Sequence, residues 1–123
     1  MKPAIQTDER LEEVYDLLRR FGLRSDRAYF LYTAHALSLA LEDPDRLLYV
    51  TKWLYADVAR LYGTNWKTVE RSIREGLRIV WDRNRQGLWD VAGYDLPYRP
   101  TASHYLTILV EYLNKKEKEQ ERE

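Results

Sequence analysis

The sequence predicts an all-α fold, a compact bundle of about six helices that contains a helix-turn-helix. Apolar residues recur at steps of three and four along most of the chain, which is the period of helices buried on one side. Glycines and prolines interrupt this pattern between the segments. No stretch shows the alternation of apolar and polar residues that is typical of a strand.

Length and composition exclude several classes of protein. The 123 residues are enough for one domain with a real core. The chain has no cysteine, no apolar run of the ~20 residues that a membrane span needs, and no secretory signal at its start. We therefore expect a cytoplasmic protein without a membrane partner. Its 20 basic and 20 acidic residues cancel, so any DNA-binding surface must come from local charge.

The first two helices are predicted from caps and apolar spacing. Thr7 is a candidate N-cap for the first helix, which Gly22 ends. Ser25 and Asp26 can cap a second helix over residues 27–41. Apolar residues go most of the way round this second helix, so we expect it to be central and buried.

Asp43-Pro44 marks a break and the start of a short third helix. Residues 51–53 either bend the chain or continue the helix into the next element. The residues expected to pack inward from this segment are Leu47, Leu48 and Val50.

Residues 55–74 show the clearest functional pattern. They predict a first helix at about 55–62, a turn at Gly63 and a second helix at about 65–83. Gly63 can take a left-handed backbone conformation without a side-chain cost. This is the layout of a helix-turn-helix, whose second helix enters the major groove of DNA. A plain helical hairpin would show the same spacing.

Local charge is compatible with DNA binding. Val69 and Ile73 give the second helix a buried stripe, and basic residues lie on the opposite face. Between residues 67 and 85 six basic residues stand against three acidic ones. A neutral molecule with one positive face can bind DNA, with modest non-specific affinity.

The rest of the chain leads to a last helix. Pro97 and Pro100 force an extended connection, and Thr101 or Ser103 can cap the helix that follows. The final segment, KKEKEQERE, has nothing to bury and is expected to be a frayed helix end. The predicted organisation is a flexible N-terminus at 1–8, the helix-turn-helix domain at 9–114 and the charged tail at 115–123.

The aromatic residues and the histidines give no sign of a ligand or a reaction. His35 and His104 lie on separate predicted helices without a carboxylate at metal-ligand spacing, and no glycine-rich phosphate loop is present. We therefore expect no catalysis, no metal and no cofactor. The aromatic residues assigned to the core are Trp53, Trp81 and Tyr105.

Several short motifs resemble a known family. They are VTK at 50–52 followed by Leu54-Tyr55, VERSIR at 69–74, Gly93-Tyr94 and Pro100-Thr101. From about residue 11 to 113 the chain resembles the C-terminal effector domain of the sporulation master response regulator, the stage zero sporulation protein A family. The resemblance implies a six-helix bundle with a DNA-binding helix-turn-helix that regulates transcription at short promoter boxes, often in tandem.

The resemblance and the position of the second helix predict which residues contact DNA. Those expected to read bases are Lys67, Thr68, Glu70, Arg71 and Arg74. Those expected to hold the backbone are Thr64, Asn65, Trp66, Arg78 and Lys52. Glu70 can accept from a cytosine amino group or simply pair with Arg74. Capping alone also explains Thr64 and Asn65, and Trp66 can instead pack under the first helix. Lys52 and Arg78 can instead be plain surface residues, and a solvated helix face also explains Arg71 and Arg74.

The resemblance also implies partners. A loop with Trp89, Gly93 and Tyr94 corresponds to the region that family members use toward RNA polymerase. Double-stranded DNA is the main expected partner, self-association is expected only on tandem DNA sites, and the location is the bacterial nucleoid.

Two departures from the family pattern leave a second function open. Thr68 stands where family members carry an arginine that reads a guanine, and threonine cannot make that bidentate contact. Family members also carry a receiver domain before this one, so the chain is either an excised fragment or a free-standing relative. The alternative function is a protein-interaction module that keeps the fold and modulates a full-length relative without binding DNA.

Overall fold

The computed structural model describes residues 4–122, with side chains from residue 9 to residue 121. Its elements are α1 (Ala4–Arg20), α2 (Ala28–Glu42), a 3-10 helix (Pro44–Tyr49), a π-helix (Val50–Tyr55), α3 (Ala56–Tyr62), α4 (Trp66–Arg83), α5 (Arg85–Ala92) and α6 (Ala102–Arg122). Residues 4–122 contain no strand, so the predicted all-α fold of about six helices is confirmed. The predicted flexible segment at 1–8 falls partly on residues 1–3, which lie outside the described residues.

The caps of α1 and α2 differ from the prediction. Helix α1 begins at Ala4, so Thr7 lies inside the helix and is not its N-cap. The N-cap residue of α2 is Arg27, whose side chain makes no capping hydrogen bond. The Asp26 carboxylate instead accepts a hydrogen bond from the Arg24 guanidinium at 2.9 Å. Asp26 lies one residue before the N-cap position, so its carboxylate does not cap the helix.

Helix α2 is central, as its apolar composition predicted. Its buried residues are Phe30, Thr33, Ala34, Ala36, Leu37, Ala40 and Leu41. It crosses α4 at close range, because a Cβ added at Gly76 would lie only 3.2 Å from the Tyr29 Cβ. Glycine permits this approach of the two helices. The crossing brings the first residues of α2 beside the solvent-exposed side of α4.

The chain between α2 and α3 is helical throughout. The Asp43 carboxylate accepts the Asp45 N–H at 3.2 Å and caps the 3-10 helix, in which Pro44 occupies the first turn. From Val50 the backbone continues as a π-helix directly into α3. Residues 51–53 therefore continue the helix into α3, which was one of the two possibilities left open by the sequence, and do not bend the chain.

Two residues of this segment that were expected to be buried, Leu48 and Trp53, are exposed. Leu47 and Val50 pack against the core, but Leu48 is 71% exposed, so its predicted inward packing is wrong. Trp53 is 43% exposed and is not a core residue. Its ring lies against Tyr49 instead, with 4.9 Å between the ring centroids. A period of 3.6 residues misplaces side chains on a segment built from 3-10 and π turns.

Helix α6 closes the bundle. The Thr101 hydroxyl accepts the His104 N–H at 3.1 Å, which makes Thr101 its cap among the two candidates. Tyr105 is fully buried, as predicted. The helix continues to Arg122, and Glu117 pairs with Arg10 of α1 at 2.5 Å.

Candidate nucleic-acid interface

Helices α3 and α4 are joined by a tight turn at Gly63. Gly63 has φ 64° and ψ 37°, in the left-handed region that favours glycine. The N–H groups of Gly63 and Thr64 both donate to the Ala59 carbonyl, the second at 3.0 Å. These bonds satisfy the carbonyl that α3 leaves unpaired at its C-terminus. The turn predicted at Gly63 is present.

Asn65 fixes the start of α4. Its backbone is extended, and its side-chain oxygen accepts the Thr68 N–H at 2.9 Å. Asn65 is therefore the N-cap, whereas Thr64 lies half-buried in the turn before it. The cap places Trp66, Lys67 and Thr68 in the first turn of α4.

Helix α4 has one fully buried face and one exposed basic face. Besides Gly76, the buried residues are Val69, Ile73, Leu77 and Val80, and none of these four has measurable exposure. Their packing fixes the rotation of the helix about its axis. The basic residues on the opposite, exposed face are Lys67, Arg71, Arg74 and Arg78.

The ion pairs on α4 divide these basic residues into two groups. Arg78 lies between Glu75 and Asp82, at 3.1 Å and 3.5 Å. Arg74 lies 3.9 Å from Glu70. Lys67 and Arg71 form no ion pair with any side chain among residues 9–121. These two cations are therefore available to an anionic ligand without displacing an acid.

Tyr55, the last residue of the π-helix, is buried close enough to Glu70 and Arg74 for both charges to act on its pKa. Its side chain is buried, and its hydroxyl has no hydrogen-bond partner among the described residues. Burial raises the pKa of Tyr55 to about 12, with Glu70 raising and Arg74 lowering it.

Trp66 and Lys52, also predicted to contact the DNA backbone, lie on different helices. Trp66 is 37% exposed, and the Lys67 ammonium lies 5.8 Å from its ring centroid. Trp66 is therefore not tucked fully under α3. Lys52 is exposed on the π-helix, outside the α3–α4 pair.

The loop after α5 is held by Trp89. The Trp89 indole donates to the Leu96 carbonyl at 3.1 Å, and the residue is half-buried. Gly93 ends α5 in a left-handed conformation with φ 90°. Tyr94, which follows it, is 54% exposed. Of the three residues predicted to contact polymerase, Tyr94 presents the most side chain to solvent and Trp89 supports the loop.

Two arginines beside α4 were not predicted. A groove of about 720 Å³ separates the start of α2 from α4, and Arg24 and Arg27 line it opposite Arg71 and Arg78. Local sequence patterns could not indicate this placement, because it depends on how α2 crosses α4. The one local signal is Gly76, a glycine inside a strongly helical segment that marks a close approach.

An all-α bundle with an exposed basic helix is compatible with a DNA-binding regulatory domain. Among residues 4–122, no helix is both long enough and apolar enough to pass through a bilayer. Residues 14–113 match the family model described as sporulation initiation factor Spo0A C terminal. That match covers most of the 123 residues, so the chain belongs to this family and the resemblance seen in the sequence is confirmed. The family is a DNA-binding response-regulator effector domain of sporulation and transcription regulation, and is not an enzyme family.

Proposed function

We propose that the chain binds specific DNA sequences through a helix-turn-helix formed by α3, the Gly63 turn and α4. The observation that carries this proposal is the two-sided character of α4. Four of its five aliphatic residues are fully buried, while Lys67, Arg71 and Arg74 are exposed on the other side. A helix of this kind can lie in the major groove while its inner face remains in the core.

Base reading is assigned to the first half of α4. The residues in this role are Lys67, Thr68, Glu70, Arg71 and Arg74. Arg71 is the arginine of this set that is exposed and forms no ion pair among the described side chains. A free guanidinium can make the bidentate contact to guanine O6 and N7. Thr68 is half-buried and can contribute a single hydrogen bond or a methyl contact.

Backbone contact is assigned to residues around the base-reading set. These are Thr64, Asn65, Trp66, Arg78 and Lys52. Arg78 would exchange Glu75 and Asp82 for a phosphate, which costs little because exposed ion pairs contribute only ~0.2–1 kcal/mol. Phosphate contacts supply most of the affinity and make it fall as salt rises.

The wider role follows from these contacts. The protein would act in the bacterial cytoplasm, at the nucleoid, as a regulator of transcription. Tandem binding on adjacent sites would raise its affinity through effective concentration. The exposed Tyr94, with Gly93 and Trp89 behind it, is the proposed contact with RNA polymerase.

The test is fluorescence anisotropy with a pool of random-sequence duplexes at low salt, followed by selection and sequencing of the bound DNA. Enrichment of one compact sequence box supports the proposal. The charge-neutral composition favours a second candidate, a protein-interaction module that modulates a full-length relative. Absence of DNA binding even at low salt, with the chain folded, would select that candidate instead.

A further inference from the structure

We propose that Arg24 and Arg27 form a second contact with the DNA backbone, on the phosphates that border the groove occupied by α4. This inference rests on the proposed function and extends the interface from one helix to two structural elements. The contact would be independent of sequence, because phosphates carry no base information.

The groove between α2 and α4 has the position that such a contact needs. Its volume is about 720 Å³, and it follows α4 from Arg71 to Arg83. Arg24, in the loop before α2, and Arg27, the N-cap residue of α2, form its other side. The major groove is ~12 Å wide, so phosphates lie on both sides of an inserted helix. The strand on the α2 side of α4 would therefore pass over this groove.

The charge of the groove suits a phosphate backbone. Five arginines line it, at positions 24, 27, 71, 78 and 83, against Glu75 and Asp82. Arg78 lies within ion-pair distance of both acids, at 3.1 Å and 3.5 Å. The other four arginines leave a net positive surface even when the neighbouring Asp26 is included.

The two new arginines can exchange their present partner for DNA. Arg24 lies 2.9 Å and Arg27 4.0 Å from the same carboxylate, Asp26. Their side chains are 61% and 55% exposed, and that of Asp26 is 64% exposed. Surface pairs of this kind are weak and are screened by salt. One carboxylate shared by two arginines leaves a net positive charge on this side of the groove.

The experiment measures how the affinity for a random-sequence duplex depends on salt. Each phosphate contact contributes ~0.9 to the slope of log K against log salt. The double variant Arg24→Ala/Arg27→Ala should lower the slope by about 2, while Arg24→Lys/Arg27→Lys should retain most of it. The matched control is Lys115→Ala/Lys116→Ala, which removes two positive charges from α6, beside a different groove. The slope of log K against log salt for this control variant should equal that of the wild type.

A wild type that binds DNA, combined with an unchanged slope in Arg24→Ala/Arg27→Ala, would overturn this inference and leave the proposed function intact. A folded wild type without affinity for DNA would overturn both. Asp26→Asn provides an independent test because it removes a negative charge beside the proposed phosphate contacts and leaves both arginines in place. It should tighten binding several-fold at low salt without changing the selected sequence, and an unchanged affinity would count against the inference.

Discussion

The Glu70 carboxylate lies 3.9 Å from the Arg74 guanidinium, one turn further along α4. The pair is on the surface that we propose faces DNA, and both of its charges act on the pKa of the buried Tyr55. An exposed pair at this spacing contributes only ~0.3–0.5 kcal/mol to stability. Both residues can therefore turn to bases at low cost, and their effects on folding and on sequence preference can be separated.

Glu70→Ala should lower the free energy of unfolding by no more than ~0.5 kcal/mol. It should also relax the preference at one base pair of the selected box, because a carboxylate can accept from a cytosine amino group. Urea denaturation and selection of bound DNA measure the two effects. An unchanged base preference would show that Glu70 only pairs with Arg74.

Arg71→Ala should weaken binding to the selected box by ~1–3 kcal/mol, because Arg71 is proposed to make a bidentate base contact. Its effect on random DNA should be smaller. Arg78→Ala is the control on the same face, and it should weaken binding to all sequences alike and reduce the salt slope by ~1. Equal losses on selected and random DNA for Arg71→Ala would remove Arg71 from the base-reading residues.

Asn65→Ala should destabilise the protein by ~1 kcal/mol, because the Thr68 N–H loses its acceptor at the start of α4. The shift of the urea midpoint measures this loss. Asn65→Ser is the matched control, since serine is an equally good cap and should retain the stability. If alanine and serine have the same stability, the hydrogen bond seen at Asn65 does not stabilise the helix.

Tyr55→Phe should flatten the loss of stability at alkaline pH. An ordinary tyrosine has a pKa of 10.0, and burial raises that of Tyr55 to about 12. Between these values the unfolded chain binds fewer protons than the folded one, so the stability present below pH 10 falls as pH rises toward 12. Burial also raises the pKa of Tyr105, so part of the alkaline loss should remain in the variant.

The measurement is urea denaturation of wild type and Tyr55→Phe from pH 8 to 11. At pH 8 the two should differ by less than ~1 kcal/mol, because the Tyr55 hydroxyl makes no hydrogen bond among the described residues. Parallel alkaline curves for the two proteins would show that Tyr55 already ionises at its ordinary pKa when folded.

Most of the α3–α4 pair could be predicted from sequence because its signals are local. The second helix was expected at about 65–83 and occupies Trp66–Arg83, since Asn65 and the apolar stripe define its start and its face. Gly63 likewise marked the turn, because few other residues adopt its left-handed conformation. Periodicity also predicted the central position of α2.

The features that the sequence predicted wrongly or missed depend on side-chain partners, helix types and helix crossings that local sequence patterns do not show. Asp26 has the side chain of a good N-cap, yet Arg24 holds it and Arg27 takes the cap position. Leu48 lies on the 3-10 helix, which has three residues per turn, and Trp53 lies on the π-helix, which has more than four. The α-helical period of 3.6 residues therefore assigns both side chains to the wrong face. Arg24 and Arg27 reach α4 only because α2 crosses it at Gly76.

The π-helix at Val50–Tyr55 contains more residues per turn than the α-helix into which it leads. A relative that lacks one residue here could close the same stretch as an ordinary α-helix and still deliver α3 to its place. Alignments of the family should therefore tolerate a single-residue gap between positions 50 and 55. A gap inside α4 would instead rotate every later side chain by ~100° and destroy the register between its core and its charges.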